Sequence, residues 1–341
     1  MSAPGSFQAR IPAHAVRRVV QCARPRQRGA ALLLAMIIMA TVVTVTAGMM
    51  WQQVRAVEVE AAERARAQAA WILAGALDWA RLILQEDMRS SRQGGRNVDA
   101  LDEPWATPLA EARLSSFLAA DKDNNADGGP EAFLSGAIVD AQSRFNLRGL
   151  VDGAGKVVPA QLAALQRLCQ VAGLPGDAAE RIAAGIGAAS VAPDDEVPAP
   201  LRPARLADLA WLDIDAATIE RLAPWADLLP VATPVNVNTA PREVLVAAID
   251  GLDLGTAERL VQQRQRKPFT TIDEVKAQLG EGMTLDNARV SVASRFFEVA
   301  GRLRLEDRVL EERSLLERRP GSRGDVVVLR RERRSFLAGP G

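Results

Sequence analysis

The chain has 341 residues, of which 48% are hydrophobic and 25% charged, enough for an anchor and two folded domains. Its 42 basic and 42 acidic residues balance, but six arginines precede residue 29, and without them 36 basic and 42 acidic residues leave a net charge of −6. That charge disfavours a nucleic-acid role for the bulk of the protein. His14 and Cys22 lie in the same basic arm, so the rest of the chain has no histidine for catalysis or zinc binding and only Cys169. We expect Cys169 to be a small core residue.

A stretch without charged side chains follows the basic arm, from Ala30 to Val54. A helix that spans a bilayer needs about 20 apolar residues, so this stretch predicts a membrane span. Arginines precede it and the first acidic residue, Glu58, follows it, which places the N-terminus in the cytoplasm and the body outside. From these residues alone, a secretory signal and an uncleaved anchor stay open as alternatives.

The span is predicted to continue as a helix from Ala56 to Met88, because no proline occurs between Ala30 and Met88. Its predicted apolar face carries Ile72, Ala76, Trp79 and Ile83 at helical spacing.

Strand and helix patterns alternate in the body of the chain. Residues 132–147 are predicted to form a strand, and the pattern from Pro159 to about Ala293 is helical. Strands return after Arg295, over residues 296–305 and 326–329. Within the helical block, residues 173–182 resemble residues 251–260, as expected for small helix–turn–helix units packed together. The simplest architecture is therefore an α/β domain with an all-α domain inserted into it.

Several short motifs, spread in order along the chain, resemble the general secretion pathway protein K family, a minor pseudopilin of the type II secretion system. They are Arg28-Gly29 before Ala30, Asp102-Glu103-Pro104-Trp105-Ala106, Arg144-Phe145-Asn146-Leu147, Val235-Asn236-Val237-Asn238-Thr239-Ala240 and Ser294-Arg295-Phe296-Phe297. The resemblance implies cleavage after Gly29 by prepilin peptidase, N-methylation of Ala30 and assembly into a short periplasmic pseudopilus. It also implies the partners: the minor pseudopilins I and J and the inner-membrane secretion platform.

The fold implied is α+β, with a pilin-like long N-terminal helix, an antiparallel sheet and a large all-α domain of helix-hairpin-helix or SAM-like type inserted between strands. The corresponding domain limits are 1–29 for the cytoplasmic leader, 30–90 for the transmembrane and amphipathic helix, 91–150 for the first part of the pilin-like domain, 151–293 for the inserted domain and 294–341 for the C-terminal strands.

Leu34 is the fifth residue after Gly29, where other pilins carry glutamate. A carboxylate in lipid costs several kcal/mol unless it is paired, and its partner is thought to be the N-terminal amine of the subunit above. A subunit that starts the fibre has nothing above it, so Leu34 fits a tip subunit. The residue type alone equally fits a side chain that merely faces lipid.

A second, local resemblance links residues 237–241, the Gly251 turn and Lys267-Pro268-Phe269 to a helix-hairpin-helix DNA-binding unit. Such hairpins hold phosphate on the amides of a Gly-x-Gly turn. Here the turn reads Gly251-Leu252-Asp253, and Asp253 would repel phosphate. The remaining cationic residues are Arg259, Arg264, Arg266 and Lys267. The two alternatives are a structural or protein-docking unit and a DNA-binding one.

An acidic loop supplies a candidate calcium site. The ligands would be Asp121, Asp123, Asn125, Asp127 and Glu131, with Gly128 permitting a sharp turn. The twelfth position of an EF-hand would fall on Leu134 rather than glutamate, so the loop is not a complete EF-hand. Calcium binding known in the resembling family favours a site, whereas a solvated acidic turn is the other interpretation.

The sequence favours a structural assembly protein over an enzyme, since it has no glycine-rich phosphate loop, nucleophile elbow or histidine-bearing site. We therefore expect the minor pseudopilin at the tip of the pseudopilus, supporting assembly and protein export across the outer membrane. It would be a single-pass protein of the bacterial inner membrane, with its body in the periplasm. The alternative is a membrane-tethered helix-hairpin-helix DNA-binding protein of a competence-type pilus.

Overall fold

The computed structural model describes residues 28–95, 97–114, 132–191, 200–280, 283, 285–305, 308–319 and 325–337. These residues fall into two compact units that divide between Arg64 and Ala65. A helix, α1, runs from Arg28 to Gln93 and contributes to both units. The helix is therefore continuous, as predicted from the absence of proline. It ends before Gly95, whose φ of 66° lies in the left-handed region that glycine adopts readily.

The second unit contains a five-stranded antiparallel sheet and two small parallel pairs of strands. In chain order the strands are β1 (Leu109–Arg113), β2 (Ala132–Asp140), β3 (Phe145–Asn146), β4 (Ala226–Asp227), β5 (Val235–Asn236), β6 (Val290–Ser291), β7 (Phe296–Leu305), β8 (Arg308–Arg319) and β9 (Asp325–Leu337). The large sheet has the order β1-β2-β7-β8-β9. Since β2 and β7 are neighbours, the chain leaves the sheet after Asp140 and returns to it at Phe296.

Short helices fill most of the excursion between β2 and β7. They are α2 (Pro159–Val171), α3 (Ala178–Ala188), α4 (Ala216–Leu222), α5 (Arg242–Ala248), α6 (Leu254–Arg266) and α7 (Ile272–Lys276). They enclose one apolar cluster, in which Leu165, Ile182, Leu245 and Leu260 are buried. Cys169 is buried in the same cluster, as expected, and burial raises the pKa of its thiol to about 11.

The C-terminal half of α1 packs against one face of the sheet. Leu77, Ala80 and Leu84 form a core with sheet residues such as Phe297 and Leu316. A second core forms around Leu73, next to a pair of glycines, Gly136 and Gly301, that face each other on β2 and β7. A Cβ at Gly301 would lie 3.1 Å from Cδ2 of Leu73, so glycine lets the helix approach the sheet closely.

The predicted fold class is confirmed, and three local expectations change. The strand predicted over residues 132–147 ends at Asp140, because a 3-10 turn over Ala141–Ser143 follows it. The strand expected near residue 326 extends from Asp325 to Leu337. On α1, the side chain of Trp79 is not part of the buried face: it is 57% exposed, whereas Leu77 and Ala80 beside it are buried.

Candidate functional site

The first unit presents an uncharged helix surface. Residues 30–54 of α1 are exposed throughout, and in the described residues α1 is the helix that is long and apolar enough to cross a membrane. Thr41, Thr44 and Thr46 fit this setting because each hydroxyl donates to a backbone carbonyl one turn earlier, at 2.5–2.9 Å. The three hydroxyls therefore have a partner inside their own helix and need none from lipid.

The predicted processing and tip positions lie at the start of α1. Gly29 and Ala30 fall in the first turn of α1, and Ala30 is exposed. Leu34 is 62% exposed, one turn further along. An exposed leucine on an uncharged helix presents an apolar side chain and offers no partner for an ammonium group. The processing of Gly29 and Ala30 and the tip role of Leu34 stay predictions.

The second unit carries an apolar groove of about 810 Å³ between α1 and the β1–β2 side of the sheet. Trp71, Trp79 and Ile83 of α1 line one wall. The opposite wall includes Trp105, which is buried and packs edge-to-face on Phe297 with ring centroids 5.1 Å apart. Tryptophans and aliphatic side chains on both walls make the groove a candidate protein-docking surface.

A ridge of exposed apolar side chains borders the groove on α1. Trp71 is 79% exposed, and Trp79 and Leu82 are also largely exposed. Trp71 and Trp79 lie two turns apart with Gly75 midway between them, so the three share one side of the helix. The sequence signal for this ridge is the pair of tryptophans in an otherwise amphipathic segment. The four residues of the predicted apolar face all line the groove: Ile72, Ala76, Trp79 and Ile83.

An acidic cluster lies where α1 ends, and no local sequence motif indicates it. Carboxylate oxygens of Asp87, Asp99 and Glu103 lie within 4.8 Å of one another. Arg318 forms ion pairs with both aspartates, contacting Asp87 at 2.6 Å. Glu103 instead accepts from the indole N–H of Trp105 at 2.7 Å and the backbone N–H of Ala100 at 3.0 Å. The cluster joins the end of α1 to the Asp102–Ala106 motif.

The environment of Glu103 shifts its titration. Burial raises the pKa of this carboxyl to about 7, more than its two hydrogen bonds lower it. Desolvation also raises the pKa of Asp87, against the opposing influence of Arg318. The cluster therefore holds at least one carboxyl that titrates near neutral pH.

The helix-hairpin-helix resemblance has a clear structural counterpart. Asn238 ties the two ends of the unit together, accepting from the N–H of Phe269 and donating to its carbonyl, both at 2.9 Å. Between them, Gly251 has a φ of 78° and starts the turn into α6. The Asp253 carboxylate accepts from the N–H groups of Gly255 and Thr256 at 2.8 and 3.0 Å. These are the amides that a phosphate would need, and they are already capped.

Two of the four cations proposed for a DNA patch are also engaged. Arg264 is buried and donates to the carbonyls of Val237 and Ala240, and desolvation lowers its pKa to about 10. Arg259 donates to the hydroxyl of Thr256. Arg264 therefore stabilises the hairpin from inside and is not available to a phosphate, whereas Arg259, Arg266 and Lys267 are exposed.

The predicted calcium loop, with Asp121, Asp123, Asn125, Asp127 and Glu131, lies outside the described residues.

One family model and two relatives that match this chain carry the same name. A family model described as "Type II secretion system (T2SS), protein K" matches residues 235–295. The type II secretion system protein K of Pseudomonas aeruginosa is 32% identical over 333 residues, which cover 91% of this chain and 93% of that protein. The protein of the same name from Pectobacterium carotovorum is 29% identical over 329 residues, covering 86% and 93%.

A solved structure shares the fold. It is described as the crystal structure of the GspK-GspI-GspJ complex from the enterotoxigenic Escherichia coli type 2 secretion system. The match has a TM-score of 0.58 at 21% identity and covers 80% of this chain and 98% of that one. Together with the extent of the P. aeruginosa match, these findings show that the chain belongs to the type II secretion system protein K family.

Proposed function

We propose that this protein is the minor pseudopilin at the tip of the type II secretion pseudopilus, where it assembles with the minor pseudopilins I and J. Family membership supports the general role in type II secretion. The position at the tip is the more specific part of the proposal. In this role the protein acts by binding and has no enzymatic activity. It supports assembly of the pseudopilus and protein export across the outer membrane.

Leu34 is the observation that carries the tip position. After cleavage at Gly29 it would be the fifth residue of the mature chain, on an uncharged and exposed stretch of helix. A subunit inside the fibre benefits from a carboxylate there, because the amine of its neighbour neutralises it. Leucine cannot make that pair, but it avoids an unpaired charge in lipid, which costs several kcal/mol.

The partners follow from the family and from the surface of the second unit. The matched solved structure is a complex of GspK with GspI and GspJ. In this chain, the groove and the exposed tryptophans of α1 supply a large apolar surface of the kind that protein partners cover. We infer that pseudopilins I and J cover it.

The proposal includes a maturation path and a calcium ion. Prepilin peptidase removes residues 1–29, Ala30 becomes methylated, and the secretion platform of the inner membrane receives the subunit with its body in the periplasm. Calcium binds the oxygen ligands of Asp121, Asp123, Asn125, Asp127 and Glu131, whose alternate spacing is the supporting observation. Binding of DNA has weaker support, because Asp253 caps the amides that a phosphate would occupy.

Labelling of assembled fibres tests the tip position. Pseudopili would be assembled with this chain carrying an epitope tag, sheared from cells and stained with gold-labelled antibody. Label at one end of each fibre is the expected result. Label distributed along the fibre would contradict a tip role while leaving membership of the family intact.

A further inference from the structure

The last strand of the large sheet, β9, has one side that pairs with no other strand in the described residues. It forms an edge of the sheet, with β8 as its neighbour. The strand is 13 residues long, whereas strands usually contain about five or six. An edge strand presents a row of backbone N–H and C=O groups that can pair with another chain. An edge of this length therefore needs either protection or a partner.

Other parts of the chain contact the first part of β9. The guanidinium of Arg81, on α1, donates to the carbonyl of Val326 at 3.1 Å. Residues 204–205 of the helical excursion contact the side chains of Arg330 and Glu332, at 2.8 and 3.5 Å. The contacts from these elements protect the edge as far as Glu332.

The second part of the edge, residues 333–337, is open. All five side chains are exposed, including Phe336 at 44% and Leu337 at 69%. In the described part of the chain, the backbone of these residues pairs with β8 and with no other element. Open backbone groups beside exposed apolar side chains are the features by which a sheet edge accepts a further strand.

Charge disfavours a second copy of this chain at the open edge. Residues 333–337 include Arg333 and Arg334 and contain no acidic residue. Two such edges side by side would bring arginines against arginines, and like charges opposite each other in a sheet are destabilising. The same arginines attract a strand that carries carboxylates. The edge is therefore protected from self-association but complementary to an acidic partner.

Arg334 supplies an available charge. Its neighbour across the sheet is Glu311 of β8, and one strand further lies Arg302 of β7. The carboxylate of Glu311 pairs with Arg313 at 3.2 Å. Arg334 and Arg302 are both exposed, and neither has an ion pair within the described residues. A carboxylate that reaches this row would meet two cations without competing for an existing pair.

The side chains of the open edge also define a pattern for the partner. Phe336 lies two residues after Arg334, so both side chains are on the same face of the sheet. A strand added beside them would face a cation and an aromatic ring with alternate side chains. The complementary segment has a carboxylate and an apolar residue separated by one position. Backbone hydrogen bonds would supply affinity, and these two contacts would supply specificity.

We propose that residues 333–337 of β9 bind an extended acidic segment of another polypeptide chain, which adds to the sheet as a further strand. A carboxylate of that segment pairs with Arg334, and an apolar side chain packs on Phe336. This binding surface goes beyond the proposed function. It uses neither α1 nor the apolar groove, and it does not depend on the position of the protein in the pseudopilus.

Peptide binding to the full-length chain in mild detergent tests this surface. The probe is a fluorescein-labelled peptide of about ten residues, in which one face alternates glutamate and valine and the other face is threonine. We expect binding by fluorescence anisotropy, together with slower hydrogen exchange of the amides in residues 333–337.

Two control peptides separate charge from strand pairing. One replaces each glutamate by lysine, which reverses the charge. The other keeps every side chain but carries N-methyl groups on alternate residues, so it cannot complete the hydrogen bonds of a strand pair. We expect both to bind about tenfold more weakly or worse, and neither to slow exchange at residues 333–337.

Substitution of Arg334 tests the charged contact. Arg334→Glu should weaken binding of the glutamate peptide about fivefold or more, with the thermal midpoint unchanged, because the side chain is exposed. Arg334→Gln removes the charge without reversing it and should give an intermediate affinity. The matched control is Arg266→Glu, at an exposed arginine of α6 outside the sheet, which changes the net charge equally and should leave binding unchanged.

Three results would overturn the proposal. The first is equal binding of the glutamate and lysine peptides, or equal binding by the Arg334→Glu and Arg266→Glu proteins. The second is full binding of the N-methylated peptide, since side-chain contacts alone would then be sufficient. The third is a dimer of the chain that slows exchange at residues 333–337, because the occupant would be a second copy. Each of these results leaves the proposed function standing, since labelling of fibres tests that separately.

Discussion

The side-chain amide of Asn236 donates to the buried carboxylate of Asp140 at 3.0 Å and so joins the helical part of the chain to the sheet. Asp140 ends β2, and the same oxygen also accepts from the hydroxyls of Thr239 and Ser294 at 2.6 Å. Ser294 precedes β7, so one carboxylate connects the point where the chain leaves the sheet, the helical excursion and the point of return. Burial raises the pKa of Asp140, and the hydrogen bonds from Ser294 and Thr239 oppose that shift.

Removing this carboxylate should destabilise the second unit strongly. Asp140→Ala removes the buried acceptor of the Ser294 hydroxyl and of the Gln142 N–H, and one of the acceptors of the Asn236 amide and the Thr239 hydroxyl. An uncompensated buried polar group costs about 1–3 kcal/mol, so we expect the free energy of unfolding to fall by about 3–5 kcal/mol. Denaturant unfolding of the full chain in detergent measures it. Asp273→Ala is the control, because Asp273 is exposed and should give a change near zero.

Glu103 should make stability depend on pH near neutrality. Its pKa in the folded protein is raised to about 7, above the ordinary value of 4.5. Between these two values the folded state holds a proton that the unfolded state has lost. The free energy of unfolding should therefore decrease as pH rises from about 4.5 to about 7 and level off above that range.

The Glu103→Gln variant tests this assignment. Glutamine keeps an acceptor for the N–H groups of Trp105 and Ala100 and cannot titrate, so the slope between pH 4.5 and 7 should become flatter than in the wild type. Thermal midpoints over a pH series are sufficient to compare the slopes. An unchanged slope would mean that another group is responsible, with Asp87, whose pKa is also raised, as the next candidate.

The helical hairpin should not bind DNA. Asp253 caps the N-terminus of α6, and its hydrogen bonds to Thr256 and Gly255 lower its pKa, so it is ionised at neutral pH and repels phosphate. We expect no gel shift of a DNA duplex by the full chain at moderate salt. Asp253→Ala should destabilise the hairpin without creating affinity for DNA. Binding with a steep salt dependence would instead favour the DNA-binding alternative.

Calcium should bind through the acidic loop. Titration of the metal-free chain with calcium, followed by calorimetry, is expected to give heat of binding and a higher thermal midpoint, because a ligand that binds the folded state stabilises it. Asp123→Ala and Asp127→Ala should each reduce both signals. Asp152→Ala, in a described turn elsewhere, is the control. Absence of heat and of stabilisation in the wild type would contradict the site.

What could be predicted from the sequence depended on how local the signal was. The strand over Phe296–Leu305 was predicted at its observed limits, since its side chains alternate clearly. The strand β8 was not predicted, because Val309-Leu310 and Leu315-Leu316 are adjacent pairs that break the alternation. The burial of Glu312 in that strand depends on Arg331 and Arg333 of β9, a long-range pairing that local pattern does not reveal.

The residues of the candidate site also differ in how local their sequence signal is. One local motif indicates Gly29, Ala30 and Leu34, so these residues could be named from the sequence alone. The groove needs α1, the Trp105 turn and β2 brought together from distant positions. The acidic cluster also could not be predicted from a local pattern, because Arg318 lies more than 200 residues along the chain from the aspartates it contacts.

The mature chain is expected to begin with N-methylated Ala30. Cleavage after Gly29 removes a segment with six arginines and no acidic residue, and leaves the uncharged span at the N-terminus. Gly29→Leu places a bulky side chain at the scissile bond, so we expect intact-protein mass spectrometry to show retention of the leader. Gly48→Leu is the matched control: it changes a glycine with open space around it in the same helix and should leave processing complete. A wild-type mass that includes residues 1–29 would instead favour the uncleaved anchor, and Leu34 would then have no special position in the chain.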